Sequence, residues 1–493
     1  MDLGRRIPAQ GLTRRDLLRS GAAGAAAAAL AGVTGLACGR EAAAGGTAPA
    51  GAPNILFVFS DSHRACSMGC YGNPYIATPS FDAFAGQGLR LATAMSSTPL
   101  CRPFRASFMS GCFSHHTGLL TNNKYERNFG VGPGAQWEPA RLGLPELGAH
   151  FRAAGYRCSY LGKWHLGEVD LDPGPLRFGF DDDWTVDARN APGDDEQGAH
   201  DYWSWTYFTG KGKSFSGGGF FRTTMETDLL LEYLKARVED ARSKRDTRPW
   251  LMVASWGPPH EPFTPPEEYE HYADVPLPAN VRDDQSKQIA REVLPLYYAL
   301  IEAIDHEFGR LVAGLDALGL DRDTLVVYTS DHGNQYGSQD ALGKEQPYSE
   351  SSQIPFLLRW TGRIAPGGVL DMPFGTTDIL PTLSGLAGLP APAGVDGRDL
   401  SGALLGRAGA PRRDAALLQV CHSRITPWPG WRAVRTPQWL FARMKSQGWL
   451  LFDLANDPLG LTNLVGQGRP EQKELQGVLT ELMTSAGDDW GQG

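Results

Sequence analysis

Cysteine is scarce: seven occur in 493 residues, at positions 38, 66, 70, 101, 112, 158 and 421. So thin a scatter excludes a scaffold built on disulfides. Cys66 and Cys70 lie close together, but no second pair at zinc-site spacing follows, which argues against a structural zinc. Positive charge is also short, 46 Lys and Arg against 55 Asp and Glu, giving a formal net charge of −9. Residues 1–41 carry a net +3, which leaves −12 on the remainder. Binding of nucleic acid through bulk charge is therefore excluded, and an anionic substrate must be met by a local positive cluster. Beyond residue 37 no apolar run is long enough to span a bilayer. What is plentiful is Gly (60) and Pro (35), which points to a loop-rich protein rather than a helical bundle. Leucine, aromatic and β-branched residues recur along most of the chain, so it is not disordered, and its length suits two or three domains.

Thr13-Arg14-Arg15-Asp16-Leu17-Leu18-Arg19 precedes an alanine-rich run from Gly21 to Ala37. A basic segment ahead of a short apolar stretch reads as an export signal, and the Arg pair makes it twin-arginine in type, over residues 1–38. The competing reading is a membrane anchor, which needs about 20 strongly apolar residues. Cys38 offers a weak match to a lipid-attachment site, and the small residues 42–50 offer a cleavage region. Residues 39–52 then form a flexible linker. The expected location is the periplasm or cell surface, with no integral membrane segment in the mature chain.

Four buried-strand patterns end in polar chemistry. Asn54–Phe59 stops at Ser60-Asp61-Ser62-His63, and Leu325–Tyr328 stops at Thr329-Ser330-Asp331-His332-Gly333. Tyr156–Leu161 runs into Gly162-Lys163-Trp164-His165, and Trp250–Ala254 into Ser255-Trp256-Gly257-Pro258-Pro259-His260. Helical patterns over 225–242 and 293–318 precede two of these strands. Helix then buried strand, repeated, predicts an α/β fold with a largely parallel sheet, whose ligands sit beyond the carboxyl ends of the strands.

Asp61 and Asp331-His332 are separated by about 270 residues yet end similar strands. Paired acids at neighbouring strand ends call for a hard divalent cation. Taken singly, each Asp reads more readily as a helix cap than as a ligand. Lys163, His165, His260 and Lys344 add positive or proton-carrying groups that would suit a tetrahedral oxyanion leaving a hydroxyl. Cys101, in Cys101-Arg102-Pro103-Phe104-Arg105, is either a nucleophile assisted by Arg105 or a buried residue starting a helix. The residues alone leave both open.

Cys101-x-Pro103-x-Arg105 with Ser110-Gly111 resembles the signature of type I sulfatases in the alkaline phosphatase superfamily. Gly162-Lys163-Trp164-His165-Leu166-Gly167 resembles their second signature. Pro258–Phe263, Thr329–Gly333, Gly343-Lys344 with Tyr348–Ser351, Asp378–Leu383 and Leu451–Leu464 follow in the family's order. The resemblance implies a large, mostly parallel mixed sheet flanked by helices over 53–405. It also implies a smaller C-terminal α+β subdomain on an antiparallel sheet over 406–493. It implies that a formylglycine-generating enzyme oxidises Cys101 to formylglycine, whose diol attacks sulfur. Arg105, Lys163, His165, His260 and Lys344 would serve catalysis, and Asp61, Cys101, Asp331 and His332 would hold a divalent metal. Calcium is the family expectation, with Mn²⁺ or Mg²⁺ as alternatives, because Ser62 stands where relatives have Asp or Gln, and His332 where many have Asn. The expected activity is hydrolysis of a sulfated small molecule or glycan. A phosphonate monoester or phosphodiester hydrolase and a non-catalytic glycan-binding relative are the alternatives. An aromatic cluster of Trp184, Tyr202, Trp203, Trp205, Tyr207 and Phe208, with Lys211 and Lys213, reads either as a sugar platform or as packing.

Overall fold

The computed structural model describes residues 46–122, 137–167, 174–186, 202–208, 214–421 and 430–490. The expected export signal, Cys38, Lys211 and Lys213 lie outside the described residues. No described helix is long and apolar enough to cross a membrane.

Ten strands form one sheet: β1 (Asn54–Asp61), β2 (Leu89–Leu91), β4 (Arg157–Lys163), β5 (Asp182–Val186), β6 (Ser204–Phe208), β7 (Ser214–Gly218), β8 (Trp250–Pro259), β9 (Thr324–Ser330), β10 (Phe356–Arg359) and β11 (Gly368–Leu370). A short pair, β3 (Ala94–Met95) and β12 (Phe374–Gly375), lies apart. The order across the sheet is β11-β2-β10-β9-β1-β8-β4-β5-β6-β7. Its centre, β9-β1-β8-β4-β5, is parallel, while β10 and β6-β7 run antiparallel to their neighbours. Four further strands, β13 (Ala416–Val420), β14 (Trp431–Arg435), β15 (Trp439–Arg443) and β16 (Gly448–Asp453), make a separate antiparallel sheet. The fold is thus α/β with a mostly parallel mixed sheet and a second, antiparallel one, as the resemblance implied.

The four strands anticipated from their apolar runs are the four at the centre. β1 shows why: Ile55, Phe57 and Phe59 enter one buried cluster and Leu56 and Val58 the other, so both faces need a layer of helices. Helix α1 (Cys101–Ser110) supplies one layer, with Phe108 stacked on Phe57 at 4.7 Å. Helices α2 (Arg222–Arg242) and α3 (Asp284–Ala317) cover the other face. α3 begins nine residues before the expected Val293. Pro295 suggests a first turn there, but Asp283 caps earlier, accepting from the Ser286 N–H at 2.8 Å. The helix therefore runs through the proline and buries Ser286, Ala290 and Leu294 as well. Helices α4 (Ile379–Leu386) and α5 (Pro470–Ser485) pack on the first layer and the antiparallel sheet respectively.

Residues 46–52, inside the expected linker, pack against the amino-terminal edge of the sheet. The Gly46 N–H donates to the Ala153 carbonyl at 2.7 Å. A groove there is lined by residues 46–49 and 51–54, Trp250, Arg322 and Asp323. The aromatic cluster is mostly packing: Tyr202, Trp205 and Tyr207 are buried in the core, and Trp203 is half-buried, its indole donating to the Thr264 carbonyl at 2.9 Å. The side chain of Phe208 lies outside the described residues.

Candidate active site

The four central strands end side by side, so Asp331-His332, Asp61, His260 and Lys163 emerge from β9, β1, β8 and β4 in spatial order. α1 brings the fifth element. Leu100 is extended and Cys101 is the first helical residue, so its Sγ sits at the positive end of the helix. Pro103 is tolerated in a first turn, where its missing N–H has no intrahelical acceptor. Phe104 and Phe108 pin this helix to Phe59 and Phe57, and Gly111 ends it in the left-handed region at φ 70°, where a Cβ would strike Val395. Core packing thereby fixes the position of Cys101.

Around Cys101 Sγ stand His332 Nε2 at 3.1 Å, Lys344 Nζ at 3.0 Å and Asp61 Oδ1 at 3.9 Å. Lys163 Nζ lies 2.6 Å from Asp61 Oδ2. Arg105 reaches Asp61 at 3.4 Å and Asp331 at 3.5 Å with one nitrogen, and donates to the Lys163 carbonyl at 2.7 Å and Ser255 Oγ at 2.9 Å with the other. His260 Nε2 lies 3.1 Å from Lys344 Nζ. Eight of the nine anticipated residues thus join one network. His165 lies at its edge, buried, with φ 60° and no partner for Nδ1.

Electrostatics follow from burial among opposed charges. Burial would raise the Asp61 carboxyl, but Lys163, then His260, Lys344 and His332, hold it well below the ordinary carboxylate range. Burial and Asp61 push the Cys101 thiol up, yet Lys344, Lys163 and His332 outweigh them and lower it. The thiol occupies the place of the oxygen functions that oxidation of this residue would create. Burial and the neighbouring Lys163, Arg102 and Arg105 keep the His165 imidazole neutral, well below its usual range. His260 is lowered by burial and by Lys344.

Asp61, Cys101, Asp331 and His332 offer one donor atom each, all within 4.8 Å of one another and all buried. The set fits a divalent cation. Two carboxylates supply hard oxygens, and His332 Nδ1 pairs with the Gly333 carbonyl at 2.7 Å, leaving Nε2 to face the cluster. Ser62 has a different task. Its backbone, at φ 66°, donates N–H to Asp331 Oδ1 at 3.1 Å, and its Oγ donates to Asp61 Oδ1 at 3.2 Å. It orders both carboxylates.

Sequence reasoning missed several supports. Arg102, given no role by the Cys101-x-Pro103 pattern, donates from Nε to the His165 carbonyl at 3.2 Å and from NH1 to the Asn122 carbonyl at 3.1 Å. Tyr202 was weighed for sugar stacking, but its hydroxyl donates to the His260 carbonyl at 2.7 Å. Ser255 carried a faint signal, since it lies at a strand end in a motif already singled out.

This sheet order, with a helix-borne cysteine facing two lysines and buried carboxylates, defines a hydrolase of the alkaline phosphatase superfamily. The sulfatase family model matches residues 53–389, and the chain belongs to that family. A second model, the N-sulphoglucosamine sulphohydrolase C-terminal region, matches 337–488. The chain is 31% identical to an ulvan-active sulfatase of Formosa agariphila, over 89% of this chain and 82% of the relative. It is 28% identical to an endo-4-O-sulfatase of Bacteroides thetaiotaomicron, over 89% and 93%. A solved structure from glycosaminoglycan metabolism in Bacteroides thetaiotaomicron superposes with a TM-score of 0.73 at 26% identity, covering 90% of this chain and 98% of the other. The protein is a sulfuric ester hydrolase, and its family is metal-dependent.

Proposed function

We propose that this sulfatase acts on sulfated carbohydrate outside the cytoplasm through a formylglycine made from Cys101. The observation that carries the reading is the setting of Cys101: a helix start, a lysine at 3.0 Å, a histidine at 3.1 Å and two buried carboxylates. Two relatives whose names specify ulvan activity and endo-4-O-sulfate removal support a glycan substrate. The aldehyde would supply, as its hydrate, a hydroxyl that attacks sulfur and a second that expels sulfate. A cation held by Asp61, Asp331, His332 and residue 101, with Ca²⁺ the family's expectation, would supply positive charge toward the sulfuryl oxygens.

The chain's own residues do the rest. Arg105, braced by Ser255 and the Lys163 carbonyl, keeps both carboxylates in place. Lys163 and Lys344 neutralise charge as it develops on sulfuryl oxygen. Nδ1 of His260 pairs with the Glu261 carbonyl at 2.8 Å, so its Nε2 accepts from the Lys344 ammonium, and this pair holds the proton for the leaving oxygen. His165, neutral and with Nδ1 unpaired, is the base for the second step. The catalytic domain spans 53–405 and the subdomain 406–493. Maturation requires a formylglycine-generating enzyme, acting before a twin-arginine signal in residues 1–38 exports the folded chain to the periplasm or cell surface.

The test is a mass spectrum of the peptide containing residue 101, taken from protein made alongside the maturation enzyme, with rates for Cys101→Ala. Loss of sulfur for an aldehyde oxygen and an inactive variant are expected. An intact thiol in a fully active enzyme would sink the mechanism.

A further inference from the structure

Among the described residues, the side chains around Cys101 are graded from buried to exposed. Asp61, Asp331 and His332 are fully buried, and Arg105 and Lys163 are 1% exposed. Contacts then step outward from Cys101 Sγ to Lys344 Nζ at 3.0 Å and on to His260 Nε2 at 3.1 Å. From His260 Nδ1 the next step reaches Glu261 Oε2 at 3.4 Å, on a side chain 52% exposed. An ester whose sulfuryl group fills the buried end leaves its alcohol beside the proton-holding pair, and Glu261 is the next charged group along these contacts. Phe263 meets Tyr336 edge-on at 5.4 Å, which places the Tyr336 phenol next to the same segment. The Tyr336 hydroxyl is buried without a partner. Burial would raise the Glu261 carboxyl, but His260 and Lys344 hold it below its usual range, so it is ionised and acts only as an acceptor.

We propose that Glu261 forms the leaving-alcohol subsite, accepting a hydrogen bond from a free hydroxyl next to the sulfate ester and rejecting a second anionic group there. The preferred substrate is then a polyol or sugar monosulfate with an unsubstituted neighbouring hydroxyl. A vicinal disulfate is disfavoured, because its second charge meets a carboxylate. The inference rests on the sulfatase reading above and adds a substrate rule that neither the fold nor the cluster around Cys101 contains.

Four probes test it on the matured enzyme: 4-nitrophenyl sulfate, cyclohexyl sulfate, cyclohexane-1,2-diol monosulfate and the 1,2-disulfate. The wild type should prefer the diol monosulfate over cyclohexyl sulfate by about tenfold to a hundredfold, as expected for a hydrogen bond to a charged acceptor. The disulfate should be slower than both. Glu261→Ala should erase both differences, read as the ratios of kcat/KM among the three alkyl probes, whatever change it makes to the nitrophenyl rate. Glu261→Gln should keep part of the hydroxyl preference and lose the rejection of the disulfate. The proposal is overturned if the wild type turns over nitrophenyl sulfate without preferring the diol monosulfate. It is equally overturned if Glu261→Ala slows all four probes alike, which would make Glu261 a support for His260. A matured wild type inactive on nitrophenyl sulfate and on all three others would instead refute the sulfatase reading.

Discussion

Replacing Lys344 separates the two things its part-buried ammonium does in the proposed mechanism. Its Nζ lies 3.0 Å from Cys101 Sγ and 3.1 Å from His260 Nε2, so in that mechanism it both holds charge at the reacting centre and offers a proton. At an effective dielectric of about 20, unit charges about 3 Å apart interact by about 5 kcal/mol, which caps the electrostatic share near 10⁴-fold in rate. Proton donation to the leaving oxygen contributes about 10² to 10⁴ on its own. Nitrophenolate departs without a proton, whereas an alkoxide does not. Both esters lose the electrostatic share in Lys344→Ala, and cyclohexyl sulfate should therefore lose about 10²- to 10⁴-fold more than 4-nitrophenyl sulfate. Lys344→Arg keeps the charge but replaces a compact three-donor ammonium by a planar fork that cannot hold the same position between residue 101 and His260, so it should retain more of the nitrophenyl rate than of the alkyl rate. The assay is kcat/KM across a series of leaving groups of graded acidity. An equal loss on every ester would show that Lys344 only binds the sulfuryl oxygens.

Two further outcomes follow from buried charge. Burial, against the opposing charge of Arg222, pushes the Glu226 carboxyl up from the ordinary carboxylate range to about 7. The folded state then binds this proton more tightly than the unfolded one. Its contribution to stability is greatest below the unfolded value and falls as pH rises through about 7, by about 3 kcal/mol in all. Denaturant titrations at pH 5 and pH 8 should differ less for Glu226→Gln than for the wild type, and an identical pH response would refute the assignment. Chelation followed by titration with Ca²⁺ or Mn²⁺ should raise the unfolding temperature, with about 2.7 kcal/mol gained at a hundredfold excess over Kd. Asp331→Asn should abolish that gain, and an undiminished shift in the variant would place the cation elsewhere.

The centre of the fold was legible because burial on both faces leaves a plain mark. Asn54–Phe59 has no polar alternation, and such a strand must lie inside a parallel sheet. Once four such strands were seen to end in Asp, Lys or His, the sheet geometry brought those ends together. What stayed hidden acts through the backbone or across the fold. Arg102 holds a carbonyl 63 positions away, and the Tyr202 hydroxyl holds one 58 positions away. Neither residue type signals such a role. Ser62 looked like a weakened metal ligand because its side chain is short and neutral, whereas its value lies in a left-handed backbone that turns N–H toward Asp331. α3 starts before its apolar pattern because Asp283 caps a polar first turn that carries no hydrophobic signal.

The packing of residues 46–52 at the amino-terminal edge of the sheet has a consequence for presentation. β1 carries the chain from Asn54 on that edge to Asp61 in the site, seven steps or about 23 Å at about 3.3 Å each. The segment 46–52 and the site therefore lie at opposite ends of the central strands. A lipid, a bead or a fused partner attached upstream of residue 46 would hold the enzyme with its mouth facing outward, free to meet a polymer too large to diffuse to it.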